Sequence, residues 1–168
     1  MTPYTQISLD CSGPIARLNF ERPESLNALS PTLLKEALDA ARKVASSDAR
    51  VLIVSGAGEK AFSAGLDLKV ITAADYTPEV GRLLSDDARA LARLFETMPQ
   101  VTIARVQGYC FTGGLELALG CDLIVASENA AFLDTHAKLG IRLIWGLSQR
   151  LPRRIGGQRA REMSFTAR

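Results

Sequence analysis

Residues 101–119 read VTIARVQGYCFTGGLELAL, and three elements follow one another in this stretch. The first six residues are mostly apolar or β-branched, which predicts a buried strand over residues 101–106. A glycine-rich turn follows over residues 108–114, and residues 115–119 predict a short helix that ends at Gly120. A strand that turns through small residues into a helix is a building block of α/β domains.

Strands and helices alternate in both directions from this stretch. Ser30 is a typical N-cap, and Pro31 occupies the first helical position before apolar residues that recur at helical spacing up to Val44. Further strands are predicted over residues 7–9, 15–20, 51–54, 123–126 and 131–133, with 51–54 and 123–126 buried. Further helices are predicted over residues 79–96, 146–154 and 157–165, and a mobile loop over residues 72–78. The alternation predicts an α/β domain.

A second junction with small residues lies earlier, where residues 61–68 read AFSAGLDL. Residues 59–68 are predicted to be loop and turn, with a helix starting near Leu66. At both junctions the first backbone N–H groups of the helix lack intrahelical partners and carry partial positive charge. Two such helix ends facing each other would form an oxyanion hole. The pattern leaves open that both junctions are only tight turns.

Several titratable side chains are candidates for chemistry. Glu116 lies in an apolar helix, where a carboxylate would cap a neighbouring helix or act as an acid or base. Asp67 follows Gly65 and either favours a helix N-terminus or contributes to a site. His136 is the only histidine, and in an extended segment it would share a face with Asp134, which would raise its pKa and fix its tautomer. A structural role for His136 is the alternative.

Composition narrows the classes of function. The net charge is +2, which does not indicate a nucleic-acid-binding surface. The three cysteines include no CxxC pair and lie in or beside apolar runs, which is typical of free thiols in a reducing compartment such as the cytoplasm. No signal peptide is evident, and no apolar run approaches the roughly 20 residues of a membrane span. The arginines near the end indicate either a solvated face or a site for a phosphorylated ligand or acidic partner: Arg150, Arg153, Arg154, Arg159 and Arg161.

Two short motifs compete with the oxyanion-hole interpretation. Residues 56–61 match the GxGxxG/A dinucleotide fingerprint, but Gly65 interrupts the helix that should open there. Residues 61–65 approximate the nucleophile elbow of serine hydrolases, with Asp134 and His136 following in hydrolase order. The preceding strand ends near Gly56 instead of running into Ser63, which disfavours that motif. The sequence contains no phosphate-binding GxxxxGK[ST] loop and no histidine–cysteine cluster for a transition metal.

Taken together, the residues resemble the crotonase family, the enoyl-CoA hydratase/isomerase group. The resemblance covers nearly the whole chain and implies a crotonase-like spiral of βαβ turns over residues 1–168, an acyl-CoA-binding core domain lacking the family's usual C-terminal helical region. The stretches that carry it are Arg22-Pro23 with Asn27-Ala28-Leu29, residues 60–68, residues 108–118 with Cys121-Asp122, and Gln149-Arg150-Leu151.

The resemblance also implies a site. The N–H groups of Leu66 and Gly113 would hold the thioester oxygen of an acyl-CoA substrate. It implies no metal, no cofactor apart from coenzyme A as part of the substrate, and a homo-oligomer, either a trimer or a hexamer. The residues expected to contact substrate or coenzyme A are Ala28, Ser63, Ala64, Asp67, Leu68, Lys69 and Gly114.

One position departs from the family in a way that matters for catalysis. Family hydratases place two glutamates around the substrate double bond; Glu116 matches the first, and His136 stands where the second would fall. We therefore expect a hydratase with Glu116 as base and His136 as acid. Leu143-Ile144 stands where the family commonly has a Pro-Gly step, and the bulky Trp145 follows, which predicts either a narrower or reshaped acyl pocket or a different substrate or reaction. Thioester hydrolysis, isomerisation and an inactive CoA-binding or subunit-pairing fragment are the alternatives.

Overall fold

A computed structural model describes residues 3–72 and 77–167 of the chain. Most of the loop predicted over residues 72–78 therefore lies outside the described residues. The strands are β1 (Ile7–Asp10), β2 (Ile15–Phe20), β3 (Val51–Gly56), β4 (Ala61–Ser63), β5 (Val101–Val106), β6 (Tyr109–Phe111), β7 (Leu123–Ala126) and β8 (Ala131–Leu133). The helices are α1 (Pro31–Ala45), α2 (Leu68–Ile71), α3 (Pro78–Thr97), α4 (Gly113–Gly120), α5 (His136–Leu139), α6 (Leu147–Ile155) and α7 (Gly157–Thr166), with a 3₁₀ turn at Pro23–Ser25.

The strands form two sheets that the chain visits alternately. The larger sheet has the order β1-β2-β3-β5-β7, parallel except for the β1–β2 pair, and the smaller has the order β4-β6-β8, all parallel. From β3 onward, each turn of the chain adds one strand to the larger sheet, one to the smaller, and then a helix. This repetition produces a spiral of βαβ turns, as the family resemblance implied.

Alternating side chains place the main core on one face of the larger sheet. In β2, Ala16, Leu18 and Phe20 are buried, whereas Ile15 and Arg17 on the other face are exposed. Helix α1 packs on the buried face, and α3 packs against α1 in the same core. The predicted start of α1 is confirmed, because the Ser30 hydroxyl accepts a hydrogen bond from the Leu33 N–H at 3.1 Å.

Three sequence predictions were wrong in detail. The segments predicted as turns contain β4 and β6, two three-residue strands that are too short to show a period. The helix expected near Leu66 instead begins after Asp67, whose side chain caps it by accepting from the Lys69 N–H at 3.1 Å. Strand β7, predicted to be buried, lies at the edge of the larger sheet, where Leu123 and Val125 are 52% and 58% exposed.

Candidate functional site

The smaller sheet brings the candidate residues together. Its three strands are parallel, so their carboxyl ends lie along one edge of the sheet. Leu66 follows β4, Gly113 follows β6, and Asp134 and His136 follow β8. Neighbouring strands are about 4.8 Å apart, so these three groups of residues occupy a width of about 10 Å.

The backbone around Leu66 is held against Leu29 on one side only. The Leu29 N–H donates to the Gly65 carbonyl at 2.8 Å, and the Asp67 N–H donates to the Leu29 carbonyl at 3.1 Å. In a parallel bridge of this kind, the N–H of the residue between those two groups points to the opposite side. The Leu66 N–H is therefore directed away from Leu29.

Gly65 allows this segment to approach the start of α4 closely. It has φ of +92°, and a Cβ placed on it would lie 2.9 Å from the Phe111 carbonyl oxygen and 3.1 Å from the Gly113 nitrogen. A residue with a side chain at position 65 would push these two segments of the backbone apart. Gly65 thus joins the two junctions that the sequence singled out, and Leu66 and Gly113 line the same cavity.

Glu116 is fixed by the loop that precedes α6. The side chain is 1% exposed, and its Oε1 accepts hydrogen bonds from the N–H groups of Trp145 at 3.0 Å and Leu147 at 3.1 Å. Its Oε2 lies 3.5 Å from Nε2 of His136. One carboxylate oxygen is therefore anchored, whereas the other faces the histidine.

His136 lies between two carboxylates. Its Nδ1 donates to Asp134 Oδ1 at 2.7 Å, and its backbone N–H donates to the same oxygen at 3.1 Å. Burial works to lower the pKa of His136, but Asp134 and then Glu116 outweigh it and raise this pKa to about 9. Burial likewise tends to raise the pKa of Asp134, yet the hydrogen bonds from the ring and the backbone N–H of His136 lower it. The ring therefore carries a proton at neutral pH.

The Asp134–His136 pairing is confirmed, although its backbone differs from the expectation. The two residues were expected on one face of an extended segment. His136 is instead the first residue of α5, and the turn into that helix lets Asp134 bond both the backbone and the ring of His136.

A cavity of about 320 Å³ lies beside these groups. The Trp145 ring, 5% exposed, packs against Gly113 and forms part of the wall, so a side chain on Gly113 would collide with it. The residues that line the cavity are Leu66, Gly81, Leu84, Ser85, Thr112, Gly113, Glu116, His136, Gly140, Ile141, Arg142, Ile144 and Trp145. The cavity combines an apolar wall with three charged residues, Glu116, His136 and Arg142.

Comparison with known proteins shows the family to which this chain belongs. The sequence model described as enoyl-CoA hydratase/isomerase matches residues 10–168. The chain belongs to the enoyl-CoA hydratase/isomerase family. A probable peroxisomal enoyl-CoA hydratase 1 of Arabidopsis thaliana is 39% identical over 159 residues, which are 93% of this chain and 57% of that protein. A crotonyl-CoA hydratase of Syntrophomonas wolfei is 36% identical over 167 residues, 98% of this chain and 63% of that protein.

The family fold is found in solved structures. The crystal structure of an enoyl-CoA hydratase from Bacillus anthracis matches with a TM-score of 0.91 and 36% identity, covering 98% of this chain and 64% of that one. The crotonase-like fold predicted from sequence is thereby confirmed. This chain spans 57–63% of the length of the first curated relatives that it matches.

Other residues predicted to contact coenzyme A in this family member lie around the β4 junction. Ser63 is fully buried against Gly114, where a Cβ would lie 2.5 Å from the Ser63 carbonyl oxygen. Asp67 forms an ion pair with Arg22 at 3.0 Å, in addition to capping α2. Leu68 is 45% exposed. Lys69 is also exposed, Ala64 is half-buried and Ala28 is buried. All seven residues predicted to contact substrate or coenzyme A lie outside the lining of the cavity described above.

The structure excludes the two competing motifs. Residues 56–61 lead into β4 instead of a helix, so no dinucleotide fold forms there. Ser63 is fully buried and accepts a hydrogen bond from the Gly65 N–H at 3.2 Å, and Nε2 of His136 faces Glu116 instead of a serine.

Within residues 3–72 and 77–167, no group of three or more His, Cys, Asp or Glu side chains has an arrangement that could hold a metal ion.

Sequence reasoning missed the residues that support the site from a distance. Arg150 donates through Nη1 to the Trp145 carbonyl at 2.6 Å and through Nε to Glu96 at 2.6 Å, which ties the Trp145 loop to α3. Thr112 and Thr135 also connect separate parts of the site. Two patterns included Arg150, the resemblance at Gln149-Arg150-Leu151 and the arginines near the end of the chain, but neither predicted its bond to Trp145. No pattern pointed to Thr135.

Proposed function

We propose that this protein adds water to an α,β-unsaturated acyl-CoA. The observation that carries the proposal is the buried arrangement of Glu116 and His136, 3.5 Å apart, in a cavity that Leu66 and Gly113 also line. The names of the matched hydratases agree with this reaction class. The proposed substrate class and the proposed activity rest on this geometry together with the sequence similarity to those hydratases.

The backbone N–H groups of Leu66 and Gly113 are proposed to bind the thioester oxygen. Addition at the β-carbon converts the thioester into an enolate, which places negative charge on that oxygen. Backbone donors already in position stabilise such charge without reorganising, and removing one donor from sites of this kind slows the reaction about 10²–10³-fold. Ala28, Ser63, Ala64, Asp67, Leu68, Lys69 and Gly114 are proposed to shape the coenzyme A side.

Glu116 is proposed to take a proton from water as its oxygen attacks the β-carbon. His136, protonated because of Asp134 and Glu116, gives its proton to the α-carbon. Glu116 then holds the proton from water, and His136 is neutral. The 3.5 Å contact between Oε2 and Nε2 lets that proton return to the histidine, which restores the starting state.

The test follows the loss of enoyl thioester absorbance when the protein is mixed with crotonyl-CoA and longer enoyl-CoAs. Glu116→Gln and His136→Ala should each lower kcat about 10²-fold or more, in the range typical of a lost general acid or base. Wild-type activity in His136→Ala would remove histidine from the mechanism. Release of free CoA thiol without a hydroxyacyl product would replace hydration by thioester hydrolysis.

The chemistry proposed here needs no metal and no cofactor besides the coenzyme A of the substrate. Activity should therefore survive dialysis against EDTA. Inactivation by EDTA that added Mg²⁺ or Zn²⁺ reverses would contradict this.

We also propose that residues 1–168 act as one acyl-CoA-binding core that assembles into a homo-oligomer, a trimer or hexamer as the family resemblance suggests. Support comes from the uncovered face of the larger sheet, where Ile15, Val101, Leu123 and Val125 are 39–58% exposed. Apolar patches of this kind mark association surfaces.

A cytoplasmic location is proposed from the free thiols of Cys11, Cys110 and Cys121. Among the described helices, none is both long and apolar enough to cross a membrane.

A further inference from the structure

Thr112 has a backbone conformation that is unusual for its residue type. It immediately precedes Gly113 and has φ of 51° and ψ of −112°. A β-branched residue with positive φ is a genuine outlier, and glycine is the residue that adopts such torsions without steric conflict. Such strain persists only where the surrounding structure enforces it, and it concentrates at functional sites.

The ψ angle of Thr112 sets the direction of the Gly113 N–H. Rotation about the Cα–C bond of Thr112 turns the whole peptide plane between the two residues, because that plane is rigid. The donor proposed to bind the thioester oxygen is part of this plane. The strained torsion therefore aims the donor directly.

Hydrogen bonds occupy every polar group of Thr112. Its N–H donates to the Leu133 carbonyl at 2.8 Å, and its carbonyl accepts from the Glu116 N–H at 3.0 Å. Its hydroxyl contacts the Thr135 hydroxyl and accepts from the Thr135 N–H at 3.3 Å. Thr112 is 4% exposed, and these contacts over-determine its torsions.

Thr135 lies between Asp134 and His136 in the chain, so the hydroxyl contact joins two halves of the site. One half is the turn that presents the Gly113 N–H, and the other is the segment that presents the imidazolium. We propose that Thr112 and Thr135 are positioning residues that fix the Gly113 N–H relative to His136. This inference rests on the hydratase function proposed above.

The test compares Thr135→Val, which has the same shape but no hydroxyl, with Thr135→Ser, which keeps the hydroxyl. Misplacing a reacting group by a fraction of an ångström slows catalysis, so Thr135→Val should lower kcat about tenfold with little change in KM. Thr135→Ser should retain most of the wild-type kcat. Equal kcat values in Thr135→Val and wild type would overturn the proposal.

Thr112→Gly tests the backbone torsions of residue 112 separately from the hydroxyl contact with Thr135. Glycine adopts φ of 51° freely but has no hydroxyl to bond Thr135. We expect kcat to fall as in Thr135→Val, although the strain is gone. Wild-type activity in Thr112→Gly would show that the backbone alone positions the donor, which contradicts a role for the hydroxyl link.

A spectroscopic probe distinguishes this inference from the hydratase proposal. Acetoacetyl-CoA forms an enolate whose ultraviolet absorption grows when donors stabilise its oxygen. Bound to Thr135→Val, it should show less enolate at a given pH than when bound to wild type or Thr135→Ser. If the wild type binds this probe but hydrates no enoyl-CoA, the hydratase proposal fails while the probe still tests the threonine link; identical enolate fractions in all three proteins would refute the link.

Discussion

His136 has two carboxylates within reach and remains protonated above the pH at which an ordinary histidine loses its charge. The ordinary pKa is 6.5, and this pKa is about 9. The raised value favours the charged ring in the folded state, so its contribution to stability is fully present below pH 6.5. That contribution is lost as the pH rises through about 9. The same proton is the one proposed to reach the α-carbon.

Asp134→Asn should therefore change the pH dependence of catalysis. In the wild type, kcat/KM should fall as pH rises through about 9, because the neutral ring cannot act as an acid. Asparagine cannot provide the negative charge, so the alkaline limb should move from about 9 toward 6.5. Complete pH–rate profiles of both proteins check this. An unmoved alkaline limb would show that another group governs it.

At the scale of elements, α6 and the loop before it hold Glu116 in place. Two backbone N–H groups of that segment bond the carboxylate, and Arg150 ties the segment to α3 through the Trp145 carbonyl and Glu96. The two contacts of Arg150 differ in their surroundings. The Glu96 side chain is 43% exposed, whereas Trp145, whose carbonyl accepts the other bond, is 5% exposed.

These surroundings predict unequal effects for two substitutions. Arg150→Met removes the bond to the Trp145 carbonyl and should lower kcat/KM about tenfold by loosening the donors of Glu116. Glu96→Gln removes only a partly exposed ion pair, which contributes about 0–1 kcal/mol, so kcat/KM should change less than about twofold. Steady-state kinetics of both variants test whether Arg150→Met loses more kcat/KM than Glu96→Gln. Unfolding curves show whether both variants are folded. A larger loss in Glu96→Gln would contradict it.

Element prediction from sequence succeeded where a period or a cap was present. The bounds of β2, β5, β7 and β8 agree with the predicted ones, and the Ser30 cap was found. Strands β4 and β6 were missed because three residues in a glycine-rich setting carry no period. The donors of Glu116 could not be predicted either, since Trp145 and Leu147 lie 29 and 31 residues further along the chain.

At the scale of the whole molecule, the larger sheet has one covered face and one exposed face. Ile15 and Val101 share the exposed face with Leu123 and Val125, because the register aligns alternate residues of β2, β5 and β7. The prediction that β7 is buried was wrong because an apolar strand has the same sequence pattern whether residues of its own chain or of another copy cover it. We expect a second copy to cover this face.

Leu123→Glu should shift the protein toward smaller species in analytical ultracentrifugation. A carboxylate placed within an apolar contact must be desolvated, and this weakens association by several kcal/mol. Leu83→Glu is the matched control, because Leu83 is 55% exposed on α3, away from the sheet. Equal sedimentation of Leu123→Glu and wild type would place the contact elsewhere.

The three parallel strands of the smaller sheet have a consequence for how this family could diversify. Each strand is followed by one group of the proposed mechanism: the Leu66 N–H after β4, the Gly113 N–H after β6 and His136 after β8. These groups lie on separate turns of the spiral, and the contact between the Thr112 and Thr135 hydroxyls joins the segment after β6 to the segment after β8. In the proposed mechanism, exchanging the residue at position 136 changes the group that delivers the proton, and with it the pH range of the reaction, while the strands that carry Leu66 and Gly113 are kept.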